Sequence, residues 1–157
     1  MYFAYGSNMG EDTMRALCSK VRFRGVATLP DYRLSFTRRS VRTGTGVADV
    51  VPASGEAVLG ALYDIDDGCL AALDRKEGLS VGAYRRAPVV VRLSSGVWQE
   101  AFAYAVVRKE TIEVPPSLGY LEQLIDAAVE RGLPEDYVAS LRDRRAWAGT
   151  AAKQSTG

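Results

Sequence analysis

The 157-residue chain contains no histidine. That absence removes Ser-His-Asp and Cys-His nucleophilic catalysis and the commonest metal ligand together. Cysteine is almost missing as well: Cys18 and Cys69 are the only two, too few and too distant in sequence for a zinc site. Each sits among apolar residues on an expected helix, so both are expected as buried, reduced thiols. No apolar run approaches the length of a membrane helix, and no charged-then-apolar leader precedes the first strand. The expectation is a cytoplasmic protein with no membrane partner. A net charge of +1 gives no concentrated basic face, so no nucleic-acid partner is expected. Acid–base chemistry is left to carboxylate, tyrosine, lysine or thiol.

What is present is an ordinary globular composition, 47% apolar and 25% charged, which at this length fits one domain. Residues 1–147 form that domain in this reading, and the small, polar composition of 148–157 predicts a frayed tail. Everything is organised around the opening stretch Tyr2-Phe3-Ala4-Tyr5-Gly6-Ser7-Asn8-Met9. Tyr2 to Tyr5 alternate aromatic bulk around a small residue, as a short buried strand does. Gly6 permits a turn that residues with a Cβ resist. Asn8 followed by Glu11 has capping-box spacing, which predicts a helix carrying Met14, Leu17, Cys18 and Val21 on one stripe. A strand, a tight turn and a helix start aim free N–H groups at one spot. An ordinary strand-to-helix turn explains the same spacing.

Further on, Arg22–Leu29 and Asp31–Phe36 read as extended segments broken at Pro30. Arg38 to Gly46 reads as a mobile loop, its arginines a solvated face or, less simply, a substrate lid. Val47–Val51 and Val58–Ile65 are strands separated by a turn at 52–56. Tyr84–Leu93 and Val97–Val107 form a hairpin, with Trp98, Phe102, Tyr104 and Val106 sharing a face. Pro115-Pro116 leads to a helix at about 117–131, with a stripe of Leu121, Leu124, Ile125, Ala128 and Val129. Gly132 and Pro134 separate it from a last helix at about 135–146, with Tyr137, Leu141 and Trp147 inside. Strands punctuated by one short helix and closed by two more make an α+β fold.

Between the strand pairs, Asp66 and Asp67 cap a short helix that ends at Gly78. Positions 70, 73 and 77 share its apolar stripe: Leu70, Leu73 and Glu77. A carboxylate on the buried face, in the last turn, has its pKa raised by desolvation and by the helix end. That is how a glutamate becomes a base near neutral pH. The plain alternative is a glutamate at the margin of the stripe, reaching solvent or pairing with Arg85.

Tyr5-Gly6-Ser7-Asn8 after an opening strand resembles the gamma-glutamylcyclotransferase (AIG2-like) family. Leu73-Asp74-Arg75-Lys76-Glu77-Gly78, then Gly82-Ala83-Tyr84, looks like that family's catalytic-glutamate segment. Phe102-Ala103-Tyr104 looks like its tyrosine strand. Pro116-Ser117-Leu118-Gly119-Tyr120, then Gly132-Leu133-Pro134 and Tyr137, is similar to its C-terminal helical hairpin. Four stretches in the same order cover residues 2 to about 141.

The resemblance implies a small mixed β-barrel flanked by helices. It also implies conversion of γ-glutamyl amino acids or amines to 5-oxoproline and a free amine, without metal or cofactor. Glu77 is then the catalytic acid–base. Tyr2, Phe3, Ala4, Tyr5, Gly6, Ser7 and Asn8 bind the glutamyl part, with Tyr120 lining the pocket and Tyr84 and Tyr104 as polar contacts. The expected partner is a small γ-glutamyl molecule, with a homodimer left open. The YGSN form differs from the signature of the glutathione-specific relatives, which argues against free glutathione. A non-catalytic module for a small carboxylate is the alternative, and Cys18 or Ser7 as nucleophile a remote third, since no histidine activates either.

Overall fold

The computed structural model describes residues 1–154, and its frame is one long hairpin. Strand β2 (Val21–Arg39) pairs antiparallel with β3 (Gly46–Ile65) along nearly their whole lengths. The breaks expected at Pro30 and at 52–56 fall opposite each other, so the two strands kink together instead of ending. Pro30 faces Ala57 and Tyr32 faces Pro52, which leaves 53–56 opposite Asp31. Asp31 adopts φ 61° and accepts a hydrogen bond from the Gly55 N–H at 3.0 Å. A matched bulge of this kind bends a hairpin sharply and lets it wrap a core. Arg38 and Arg39 also belong to β2, and the expected loop shrinks to a turn at 40–45, closed by Ser40 N–H to Thr45 O at 2.8 Å.

Three more strands complete the wall: β1 (Tyr2–Ala4), β4 (Tyr84–Leu93) and β5 (Trp98–Val106). They close a barrel in the order β1-β3-β2-β4-β5. β1 runs antiparallel to β3 and parallel to β5, where Tyr2 pairs with Phe102. The mixed barrel of the family resemblance is therefore the fold observed. Only a glycine fits at position 60, because a Cβ there would lie 2.3 Å from Ala4 O and 2.9 Å from Phe3 Cε2. That close approach seats β1, and with it the YGSN turn.

Phe3, Phe36, Leu62, Tyr63 and Val91 are fully buried in the core, joined by Leu73 from helix α2 (Asp67–Lys76) and Leu121 and Leu124 from α3 (Leu118–Glu130). Each such side chain contributes about 1.5–3 kcal/mol. Trp98 and Val129 are corrections to the expected stripes, being 56% and 53% exposed. Trp98 instead lies under the Arg92 guanidinium. Helix α4 (Glu135–Arg142) follows, and α5 (Arg145–Ala148) and α6 (Ala151–Gln154) carry the chain past the expected domain end. Ala148 and Ala151 are buried, so the tail does not fray at 148; residues 155–157 lie outside the described residues.

The first helix, α1 (Glu11–Leu17), is shorter than its expected stripe. Cys18 is its C-cap and Val21 begins β2. The two cysteines are bonded to each other, Cα to Cα 4.7 Å across 51 residues of sequence, and are not free thiols. Apolar neighbours predicted their burial correctly; only the barrel's closure brings the end of α1 against the first turn of α2. Closing a loop of that length stabilises a fold by about 2–4 kcal/mol.

Candidate functional site

The opening turn differs locally from its expected form. Ser7–Met9 is a single 3-10 turn, and Gly10, not Asn8, is the N-cap of α1, with no side-chain cap bond. Asn8 is 3% exposed, and burial converts its side chain from a cap into a bridge. Its Nδ2 donates to Glu77 Oε1 at 2.8 Å and to the Tyr2 hydroxyl at 3.0 Å, while Lys76 Nζ donates to its Oδ1. The lysine sets the orientation of the amide, since an ammonium has only protons to offer. The turn itself is tied down through Met9, whose carbonyl accepts from Tyr63 Oη at 2.6 Å and from Arg131 Nε at 3.2 Å.

Glu77 arrives from the other side. Asp66 caps α2 by accepting from the Cys69 N–H at 2.8 Å, as expected. The helix ends at Lys76 with Glu77 as C-cap, and Gly78 takes the left-handed φ of 66° that turns the chain away. The glutamate is thereby held at a helix end, half-buried, with its carboxylate against Asn8. Burial raises its pKa; the Asn8 hydrogen bond and the charges of Lys76 and Arg38 act against that rise. Burial also lowers the pKa of Lys76.

These elements surround a pocket of about 290 Å³, part of it open at the mouth, lined by Tyr2, Tyr5, Gly6, Ser7, Asn8, Ala48, Glu77, Tyr84, Tyr104 and Tyr120. Most residues expected at the site meet there. Phe3 and Ala4 do not: both are wholly buried, Phe3 with its ring tilted against Tyr5 and Ala4 paired with Ala61. Strand alternation sends Phe3 to the face opposite Tyr2. Gly6 has φ −121°, not the left-handed turn; a Cβ there would make ordinary contact with Ala48 Cβ at 3.4 Å and Tyr120 Oη at 3.8 Å.

Ala48 is the residue that sequence reasoning missed. Its N–H donates to Tyr120 Oη at 3.1 Å and its carbonyl accepts from Tyr84 Oη at 2.7 Å. One β3 residue thus orients two pocket tyrosines through its backbone, and a backbone role leaves no mark on residue type. The five tyrosines divide by what their protons do. Tyr5 donates to Tyr104 O, Tyr84 to Ala48 O, and Tyr104 to Asp74 Oδ1 at 2.7 Å. Tyr2 and Tyr120 accept, from Asn8 and Ala48, and keep an O–H to offer inward. Burial pushes Tyr120 up to about 12 and raises Tyr2, Tyr5, Tyr84 and Tyr104 above the ordinary phenol. All five stay protonated donors at neutral pH.

Among the described residues no cluster of histidine, cysteine, aspartate or glutamate could hold a metal ion, and no helix is long and apolar enough to cross a membrane. The site offers one partly buried carboxylate and a ring of neutral hydroxyls, an arrangement that moves protons and positions a polar molecule.

Comparison with known proteins places the chain among relatives of one family. The AIG2-like family matches residues 57–141. Gamma-glutamylcyclotransferase of Bos taurus is 30% identical over 90% of this chain and 76% of its own length. The Homo sapiens protein of the same name is 30% identical over 90% and 77%. A solved gamma-glutamyl cyclotransferase superposes with a TM-score of 0.84 at 29% identity, covering 90% of this chain and 85% of its own.

Proposed function

The chain belongs to the gamma-glutamylcyclotransferase (AIG2-like) family, and from that membership we propose how its pocket carries out the family's reaction. It is an enzyme that cyclises a small γ-glutamyl compound to 5-oxoproline and releases the amine. The observation that carries the mechanism is the Asn8–Glu77 contact inside a pocket of neutral tyrosines.

The substrate's α-amine attacks its own γ-carbonyl, so no protein nucleophile is needed. The α-nitrogen enters as an ammonium and ends as a lactam N–H, losing two protons. The leaving nitrogen gains two and departs as an ammonium. Glu77, with its raised pKa, relays the two protons one after the other, accepting each from the first nitrogen and delivering it to the second. Asn8 holds one carboxylate oxygen and leaves the other free for this traffic. The N–H groups that open the Ser7–Met9 turn have no partner within so short a helix. They and the spare O–H of Tyr2 and Tyr120 are the donors for the γ-carbonyl as it becomes an oxyanion, each worth about 10²–10³ in rate. Tyr5, Tyr84 and Tyr104, whose protons are spent, shape the walls. Held this way the amine needs no collision; well-oriented internal reactions reach effective molarities of about 10⁵–10⁸ M.

A cytoplasmic location belongs to the same proposal; the Cys18–Cys69 disulfide, uncommon in reducing compartments, stands against it. A module that only bound a small carboxylate would not keep Glu77 unneutralised beside its ligand. The test is product release. Purified protein with no metal or nucleotide added should yield 5-oxoproline, by mass spectrometry, from γ-glutamyl compounds and not from α-linked glutamyl dipeptides. No 5-oxoproline from any γ-glutamyl compound overturns the reading.

A further inference from the structure

Arg131 follows α3 as its C-cap, where a cation ordinarily turns back to the last carbonyls of its own helix. Its side chain goes elsewhere. It is 9% exposed, and its Nε donates to Met9 O at 3.2 Å and to Tyr63 Oη at 3.0 Å, 122 and 68 residues away in sequence. The Tyr63 hydroxyl donates in turn to the same Met9 carbonyl at 2.6 Å. The guanidinium lies over the Phe23 ring at 4.4 Å and the Tyr63 ring at 5.4 Å. The carboxylates of Glu11 and Glu130 stand farther off than a hydrogen bond, at 3.7 and 3.9 Å. An arginine enclosed in this way, between aromatic faces, spends its Nε proton on one backbone carbonyl and the phenol that shares it.

That carbonyl belongs to the turn that carries Asn8. The Met9 N–H donates to Gly6 O at 3.1 Å, so Met9 is fixed on both sides: its N–H closes the turn and its C=O is clamped. Lys76 sets the Asn8 amide, while the clamp sets the main chain one residue on. Together they bring Nδ2 to 2.8 Å from Glu77 Oε1. The charges that act on Glu77 are those of Lys76 and Arg38, and the neutral Tyr2, Tyr84, Tyr104 and Tyr120 share its pocket. Arg131 lines no part of that pocket, so the turn is its route to the base. We propose that Arg131 is a positioning residue for the reaction: with Tyr63 it locks the Met9 carbonyl, and that lock keeps Asn8 in place against Glu77. The inference rests on the cyclotransferase reading above and adds a residue that touches neither the substrate nor the base.

The experiment follows 5-oxoproline release from γ-glutamyl-L-alanine, or from whichever γ-glutamyl compound the wild type turns over fastest. It compares Arg131→Met, which keeps the length of the stem and removes the donor and the charge, with Arg131→Lys and Tyr63→Phe. A displacement of about 1 Å at a reacting group costs about 10²-fold, so Arg131→Met should lower kcat by about 10–100-fold. It should also move the acid limb of activity to higher pH, because a displaced Asn8 no longer stabilises the Glu77 carboxylate. Arg131→Lys, with a charge and a donor for the carbonyl, should recover part of both. In an Asn8→Ala background Arg131→Met should move the limb no further, since residues acting through one contact are not additive. Tyr63→Phe withdraws the other donor to Met9 O and keeps the ring; it should shift the limb the same way, and it carries the test if Arg131→Met does not fold. A folded Arg131→Met or Tyr63→Phe with the limb and kcat of the wild type overturns the inference, however much its melting temperature has dropped. A limb that moves again in the Asn8→Ala background also overturns it, because Arg131 would then reach Glu77 by another route. Either result leaves the cyclotransferase reading standing; no 5-oxoproline from any γ-glutamyl compound with the wild type sinks both.

Discussion

Two carboxylates, Asp49 beside Ala48 in β3 and Glu77 in the pocket, are treated by the fold in opposite ways. Asp49 is wholly buried, yet its oxygens accept from Val106 N–H at 2.9 Å, Thr37 Oγ1 at 2.7 Å and Lys109 Nζ at 2.5 Å. Glu77 is less buried but has a single donor, Asn8 at 2.8 Å. A carboxylate with three donors and a paired charge is a fixture, because both of its oxygens are already held by the fold. A carboxylate with one donor and a raised pKa keeps an oxygen free and exchanges its proton readily. Burial by itself therefore does not separate the two carboxylates; what separates them is how many donors the fold supplies to each.

The sharpest test of that contrast is Glu77→Gln. The amide keeps the shape and the oxygen that accepts from Asn8 but cannot carry the proton, so turnover should fall by about 10²–10⁴. Stability should move the other way. A folded-state pKa raised above the unfolded value of about 4.3 means that the native state binds more protons through that window. Stability is then lost as pH rises through it, and at neutral pH the variant should melt at or above the wild-type temperature. Near wild-type turnover in Glu77→Gln would end the assignment of Glu77 as the base.

Asp49→Ala should show the reverse pattern. It leaves the Val106 N–H and the Thr37 hydroxyl without an acceptor and Lys109 without its partner. Denaturant titration should lose about 3–5 kcal/mol, as for breaking a buried ion pair. The folded fraction should keep kcat within about tenfold, since Asp49 lines no part of the pocket. If activity collapsed while stability held, Asp49 would belong to the chemistry and the contrast would fail.

The smallest effect is a shift along the pH axis. Wild-type activity should fall on the acid side as Glu77 protonates, and with no histidine in the chain a single carboxylate should account for that limb. Asn8→Ala removes a hydrogen bond to the ionised form, so the limb should move to higher pH by about one to two units, the equivalent of 1.5–3 kcal/mol. A limb that stays in place would show that Asn8 does not tune Glu77.

Much of the candidate site is legible in the sequence. Glu77 stood out because a charged residue occupied an apolar stripe, and Asp66 and Gly78 marked both ends of its helix. Those are local signals, set by capping and periodicity. Asn8 was visible as a polar residue beside a turn but was misassigned, since capping-box spacing and a buried bridge look identical until the partner is known. Ala48 was invisible, because its contribution comes from N–H and C=O groups that every non-proline residue carries.

The sequence by itself determined most of the element types, the family and the chemistry that is excluded. Absent histidine, apolar stripes and cap residues constrain chemistry and local conformation through short-range physics. Only the tertiary structure decided that Pro30 and 52–56 meet as one bend, that Cys18 reaches Cys69, and that Asn8 and Glu77, 69 residues apart, share a hydrogen bond. Those contacts follow from barrel closure, which sums many weak pairings along five strands, and no short window of sequence contains that sum.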